Sequence, residues 1–207
     1  MINRDYDLNL LRELGVNKLC GIDEAGRGPL VGPVVAAACI LPRGFIPEGI
    51  DDSKKLTPKR RDALYGVITS AAEAYGVGIA SAAEIDEYNI LEATLLAMRR
   101  ALNNLVVRPD YLLVDGNVFR GFDIPGSCLI SGDAISPSVA AASIIAKVTR
   151  DRICLELDAK YPGYGIAKHK GYGTAAHMAA LRELGPCPEH RRKFIRFLDR
   201  EPGGNKD

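Results

Sequence analysis

Apolar residues fall along this chain in two rhythms: short unbroken runs, and spacings of three and four. The runs at 18–23, 34–41, 75–81, 111–114 and 128–130 read as strands, each bounded by Gly, Pro or Asp turn signals. Between them lie helical patterns. Thr57-Pro58 supplies an N-cap and a proline for the first helical position, and Leu64, Val67, Ile68 and Ala71 follow on one face. The segment 83–105 places Leu91, Leu95, Met98, Leu102 and Leu105 in alternating steps of four and three. Inside it, Asn89 with Glu92 resembles a capping box, which predicts two helices with a break. Ser136-Pro137 starts a long helix through Val139, Ala142, Ile145 and Val148 to about residue 160. Tyr161-Pro162-Gly163-Tyr164-Gly165 stops it. Helical patterns return at 174–184 and 189–198, and the tail 201–207 reads as disordered.

Three antiparallel-looking strands come first, and strands separated by helices follow. That order fits an α/β domain with a mixed sheet and a helical appendage. The length of 207 residues suits one domain, with room for a smaller lobe. With 47% hydrophobic and 26% charged residues the composition is that of a soluble globular protein, and no apolar stretch approaches a membrane span. The polar, acidic start is unlike a secretory signal. Five scattered cysteines then point to reduced thiols and a cytoplasmic location. The net charge of +1 gives no global case for a nucleic-acid partner, so that case rests on local patches.

The candidate chemistry sits at strand ends. Asp23-Glu24 closes the first run, Asp115 closes the run at 111–114, and Asp133 stands between the run at 128–130 and the long helix. Four acids at strand ends converge if those strands are neighbours and end on one edge, where open α/β sheets place ligands. Such a cluster supplies the oxygen ligands that Mg²⁺ requires. Two ions about 4 Å apart can activate a water and stabilise the leaving oxygen of a phosphoryl displacement. Each acid also has a plainer reading. Asp115-Gly116 is a common turn, Asp133 suits a helix start, and Arg27 could serve as the counter-charge of Asp23-Glu24.

Gly26-Arg27-Gly28 lets backbone N–H groups approach a phosphate or sugar hydroxyl without Cβ hindrance. Lys54-Lys55 and Lys59-Arg60-Arg61 form a basic cluster, Lys168-His169-Lys170-Gly171-Tyr172-Gly173 mixes cations with an aromatic, and Glu189-His190-Arg191-Arg192-Lys193 adds a third basic site. Each of these is also an ordinary solvated surface. Cys187-Pro188-Glu189-His190 has zinc-like local spacing, but no second pair completes it, so zinc is not expected. Neither a nucleophile elbow nor a Walker A loop is present.

Taken together, the blocks Gly21-Ile22-Asp23-Glu24-Ala25-Gly26-Arg27-Gly28-Pro29, Asp52-Ser53-Lys54-Lys55-Leu56, Val114-Asp115-Gly116, Gly132-Asp133, the run from Ala140 to Asp151, and His169-Lys170-Gly171-Tyr172 resemble the bacterial ribonuclease HII family. They stand in that family's order across roughly residues 18–196. The resemblance implies an RNase H-like fold: a central mixed five-stranded sheet flanked by helices over 1–165, and a small C-terminal helical lobe over 166–200. It implies a nuclease that hydrolyses the RNA strand of RNA–DNA hybrids and incises 5′ to single ribonucleotides in duplex DNA, leaving 5′-phosphate and 3′-hydroxyl ends. It assigns the catalytic, metal-binding roles to Asp23, Glu24, Asp115 and Asp133, with two Mg²⁺ or Mn²⁺ ions. It gives 2′-hydroxyl reading to Gly26, Arg27 and Gly28, and junction sensing to Tyr172. Lys54, Lys55 and Lys147 are candidate backbone contacts, and the protein is expected to act as a monomer. Two other readings stay open on the residues alone: a nucleic-acid-binding protein whose acids are structural, and a nuclease of the same fold for DNA junctions.

Overall fold

Strands β1 (Leu19–Ala25), β2 (Val34–Ile40), β3 (Ala74–Ala80), β4 (Tyr111–Asp115) and β5 (Gly126–Leu129) build one mixed sheet in the order β3-β2-β1-β4-β5. The computed structural model describes residues 2–199. β1 and β2 are antiparallel, as are β2 and β3, whereas β4 runs parallel to both β1 and β5. β1 and β4 therefore finish on the same edge, with Ile22 opposite Val114 and the next residue of each strand an aspartate.

Helices cover both faces. α2 (Pro58–Ala71) and α5 (Pro137–Lys160) pack on Ala37 and Cys39 of β2, while α3 (Ala82–Tyr88) and α4 (Ile90–Asn103) cover Ala36 and Ala38 from the other side. Both faces of β2 are thus buried, which is why its sequence is an unbroken Val/Ala run and does not alternate. Asn89 divides α3 from α4 as expected. Its φ of +76° breaks the first helix, and its side chain accepts the Leu91 and Glu92 N–H groups of the second. The full capping box lies one helix earlier, between Ser81 and Glu84.

α5 starts where the sequence places it, with the Ser136 hydroxyl accepting from Val139 N–H. Its first ten residues are all buried, and the alanines there let the helix lie close to the sheet. At Gly21 a Cβ would fall 2.2 Å from the Ser138 carbonyl carbon, so the β1 and α5 backbones touch. The longer of two helices not foreseen from the pattern is α1 (Tyr6–Leu14), closed by left-handed Gly15. Its Asp7 accepts hydrogen bonds from the Ser136 hydroxyl (2.6 Å) and the Ser138 N–H (2.9 Å), tying the chain start to the start of α5.

Beyond α5, α6 (Ile166–His169) and α7 (Ala175–Leu184) gather with Val31, Cys154, Leu157, Cys187 and Ile195 into a separate small core. The helix expected at 189–198 does not form. Residues 189–191 run extended beside 30–32, with Gly32 N–H donating to Glu189 C=O and Arg191 N–H to Leu30 C=O. Backbone groups used in that ladder cannot close helical turns, and only two short 3₁₀ turns follow, at Arg192–Phe194 and Arg196–Asp199. The disordered tail expected at 201–207 lies outside the described residues.

Candidate active site

The shared edge of β1 and β4 opens into a cleft of about 220 Å³ lined by Asp23, Glu24, Asp115, loop 26–28, Lys54, Lys147 and Tyr172, among others. Asp23 is buried and points to the α5 side of the sheet, where burial and the charges of Glu24 and Asp115 push its carboxyl well above the usual range. The Ser143 hydroxyl of α5 works the other way, favouring the carboxylate. Glu24 is raised by burial, pulled back by Arg27 at 3.4 Å, and raised again by Asp115. Asp115 is raised by burial and by the charge of Asp133.

Asp133 sits on the 3₁₀ turn Gly132–Ala134 that joins β5 to α5. The turn is locked to β4, because Gly132 N–H donates to Asp115 Oδ1 at 2.6 Å. Asp133 is buried and accepts from the Lys54 ammonium at 3.0 Å. The four acids predicted from strand ends therefore come to one neighbourhood, coupled by charge. Among the described residues no three His, Cys, Asp or Glu side chains are drawn together into a finished metal cage.

Of the predicted lysines, Lys54 reaches into the cleft; Asp133 and Asp23 raise its pKa against the opposing effect of burial. Lys147 lines the cleft wall and pairs with Asp151 at 2.5 Å. Lys55 turns away to Asp51, at 3.6 Å, and does not line the cleft.

The loop Gly26-Arg27-Gly28, which continues from β1, also lines the cleft. Gly26 has φ +97°, and a Cβ there would lie 1.9 Å from Arg150 Nε, so only glycine fits. The carbonyls of Gly26 and Arg27 both accept from Arg191, at 2.6 and 2.8 Å. The Tyr172 ring stands beside Gly28, half-exposed at the cleft mouth.

The ribonuclease HII family model matches residues 20–198. The chain belongs to the ribonuclease HII family. Ribonuclease HII of Geobacter metallireducens is 55% identical over 186 residues, covering 90% of this chain and 87% of that one. The Geobacter sulfurreducens protein of the same name is 58% identical over 190 residues, covering 92% and 87%. Among solved structures, ribonuclease H2 from Pyrococcus horikoshii superposes with a TM-score of 0.74 at 31% identity, covering 88% of this chain and 97% of that one. The fold is RNase H-like, and the chain is a ribonuclease H hydrolase that acts on RNA–DNA substrates.

Several ribonuclease HII residues at this site carry no local sequence signal. Ser53 and Ser143 share a hydrogen bond of 3.0 Å under the acids. Arg150 and Arg191 are fully buried beneath the loop, although Arg191 belongs to a run that reads as a basic surface. The three histidines, poorly spaced for a metal, do meet. His169 stacks on His177, and His177 Nε2 lies 3.1 Å from His190 Nε2. The contacts fix the protons. Cys187 N–H donates to His190 Nδ1, so His190 donates from Nε2 to His177 Nε2, and His177 Nδ1 donates to the Tyr172 carbonyl. The pair is a neutral relay behind Tyr172, with ring nitrogens turned toward each other and not toward a shared ion. A larger hollow of about 460 Å³ lies between the end of α4 and residues 121–124, and it contains none of the four acids.

Proposed function

We propose that this ribonuclease H hydrolyses the RNA strand of RNA–DNA hybrids and incises 5′ to single ribonucleotides in duplex DNA, using two Mg²⁺ or Mn²⁺ ions. One juxtaposition carries the reading: an anionic cluster at the strand ends and a loop of free backbone donors line one cleft. The donor set fits the ions. Four carboxylates offer only hard oxygen ligands, and three of them are raised by burial and, after it, by one another's charge, which divalent cations would offset. Mg²⁺ binds through one or two carboxylates, waters and substrate phosphate, so an incomplete cage is what such a site requires. Asp23, Glu24, Asp115 and Asp133 would hold the ions. Bound there, divalent cations supply Lewis-acid catalysis of phosphodiester hydrolysis, giving 5′-phosphate and 3′-hydroxyl ends.

The chain's own groups do the selecting. The N–H groups of Arg27 and Gly28 have no partner among the described residues and are free for the ribose 2′-hydroxyl, the group that separates RNA from DNA. The Tyr172 ring beside Gly28 packs on the neighbouring sugar and disfavours an extra hydroxyl there, selecting an RNA-to-DNA junction. Lys54 and Lys147 hold the phosphate backbone at the cleft, and Lys55 attracts it from outside. The five free cysteines are consistent with the cytoplasm.

The test is a DNA duplex carrying one ribonucleotide, incubated with Mg²⁺ or Mn²⁺ and the cut mapped. A single cut on the 5′ side of the ribonucleotide with the stated ends is expected. A uniform hybrid cut while the single ribonucleotide is spared would overturn the junction reading.

A further inference from the structure

Arg191 is a cation enclosed by carbonyls. It has no exposed surface and forms no ion pair among the described residues. Its guanidinium donates to Gly26 O at 2.6 Å, Arg27 O at 2.8 Å, Gly32 O at 2.8 Å and Pro33 O at 3.1 Å. Burial, with the nearby charge of Arg150, lowers its pKa to about 9, which leaves it a cation at neutral pH. Arg150 lies beneath the same loop and donates to Pro33 O, Val31 O and Lys170 O, the last at 2.9 Å. It thereby joins residues 31–33 to the segment bearing Tyr172, while its side chain packs directly under Gly26.

Holding those carbonyls has a geometric consequence. In a trans peptide the C=O and the N–H point in opposite directions, and no cis peptide occurs among the described residues. With Gly26 O and Arg27 O drawn inward to Arg191, the N–H groups of Arg27 and Gly28 face away from it, on the side where both residues line the cleft. Two adjacent donors are thus presented together. A flip of either peptide would take a donor away and leave Arg191 short of an acceptor, which makes the flip costly for a buried charge.

We propose that Arg191, braced by Arg150, is a positioning residue that fixes the Gly26-Arg27-Gly28 donors for the ribose 2′-hydroxyl, and so determines the preference of this chain for ribo- over deoxynucleotide. The inference rests on the loop's role given under Proposed function. A lysine at 191 keeps the charge but cannot span four carbonyls with a planar fork.

The test compares two dissociation constants by fluorescence anisotropy, at low salt and in EDTA to prevent hydrolysis. One probe is a DNA duplex with a single ribonucleotide; the other is the same duplex with deoxyribose at that position. Wild type is expected to favour the ribo duplex. Arg191→Lys is expected to lose roughly fivefold to tenfold of that preference, the scale of one or two misaligned hydrogen bonds, while its affinity for the all-DNA duplex stays within about twofold. Arg150→Lys, which relaxes the same loop from below, is expected to lose less and serves where Arg191→Lys does not fold. An unchanged ratio in a folded variant overturns the proposal, and so does an equal loss for both duplexes, which marks a merely structural arginine. A wild type with no ribo preference refutes the role given to the loop itself, and the proposal falls with it.

Discussion

One wall of the cleft, at the ends of β1 and β4, crowds carboxylates together with Lys54 and Arg27 as the cations that reach them. The adjoining wall, the backbone of loop 26–28, is underlain by two buried cations that no carboxylate pairs among the described residues. The acidic wall is electrostatically unfinished: burial and mutual repulsion raise three of its acids. The arginine wall is finished, since carbonyl dipoles surround each guanidinium. An unfinished wall accepts ions from outside; a finished one holds its shape and presents fixed donors. Catalysis by this ribonuclease H needs both, and the contrast makes substitutions on the two walls fail differently.

Asp23→Asn should give the largest effect, a loss of cleavage on the order of 10³-fold, the scale of removing one electrostatic stabiliser of the transition state. Because a repelled, buried carboxylate is replaced by a neutral amide, melting should be unchanged or higher. Hybrid cleavage rates with circular-dichroism melts check both halves. A marked drop in melting temperature would mean that the acid is structural.

Gly26→Ala attacks the finished wall, where the account is the reverse. A Cβ at φ +97° pressed on Arg150 should cost about 1–3 kcal/mol in urea unfolding. Equal stability of the two proteins would show that the loop is not held as described.

The histidine relay sharpens the contrast through pH. Burial lowers both histidines, His190 to about 4, against an ordinary value of 6.5. The unfolded chain therefore takes up protons before the fold does. The relay's contribution to stability is full above about 6.5 and is lost as pH falls toward 4. Melting from pH 7 to pH 5 should fall less steeply in His190→Gln than in wild type, and parallel curves would rule out the neutral pair.

The smallest effect belongs to Lys55→Ala. Outside the cleft and paired with Asp51, it should change activity by less than about twofold and the salt slope of hybrid binding by about one charge or less. Lys54→Ala, at the unfinished wall, should lose clearly more.

The acidic wall was legible in the sequence because Asp23, Glu24 and Asp115 end apolar runs and Asp133 follows one, and a position at or just after a strand end is a local property. Glycine at 26 was legible for a similar reason. The finished wall was not. Nothing in Glu189-His190-Arg191-Arg192-Lys193 marks the third residue as buried, because its acceptors lie about 160 positions away. The same absent partner explains the misplaced helix at 189–198. Helical spacing is intrinsic to the segment, whereas the pairing with 30–32 depends on a stretch of chain the segment meets only in the fold. α1 was missed because its polar start hid the run Leu10-Leu11, and because Asp7 acts on a helix start 129 residues later. The contact between His177 and His190 carries no signal in the sequence, because it is again tertiary.

The cation site is the central claim, and Mn²⁺ binding to the full chain, followed by paramagnetic resonance, tests it most directly. Saturable binding in wild type that is lost in both Asp23→Asn and Asp115→Asn, with each variant still folded, is the predicted result. Variants that bind Mn²⁺ as wild type does would contradict it.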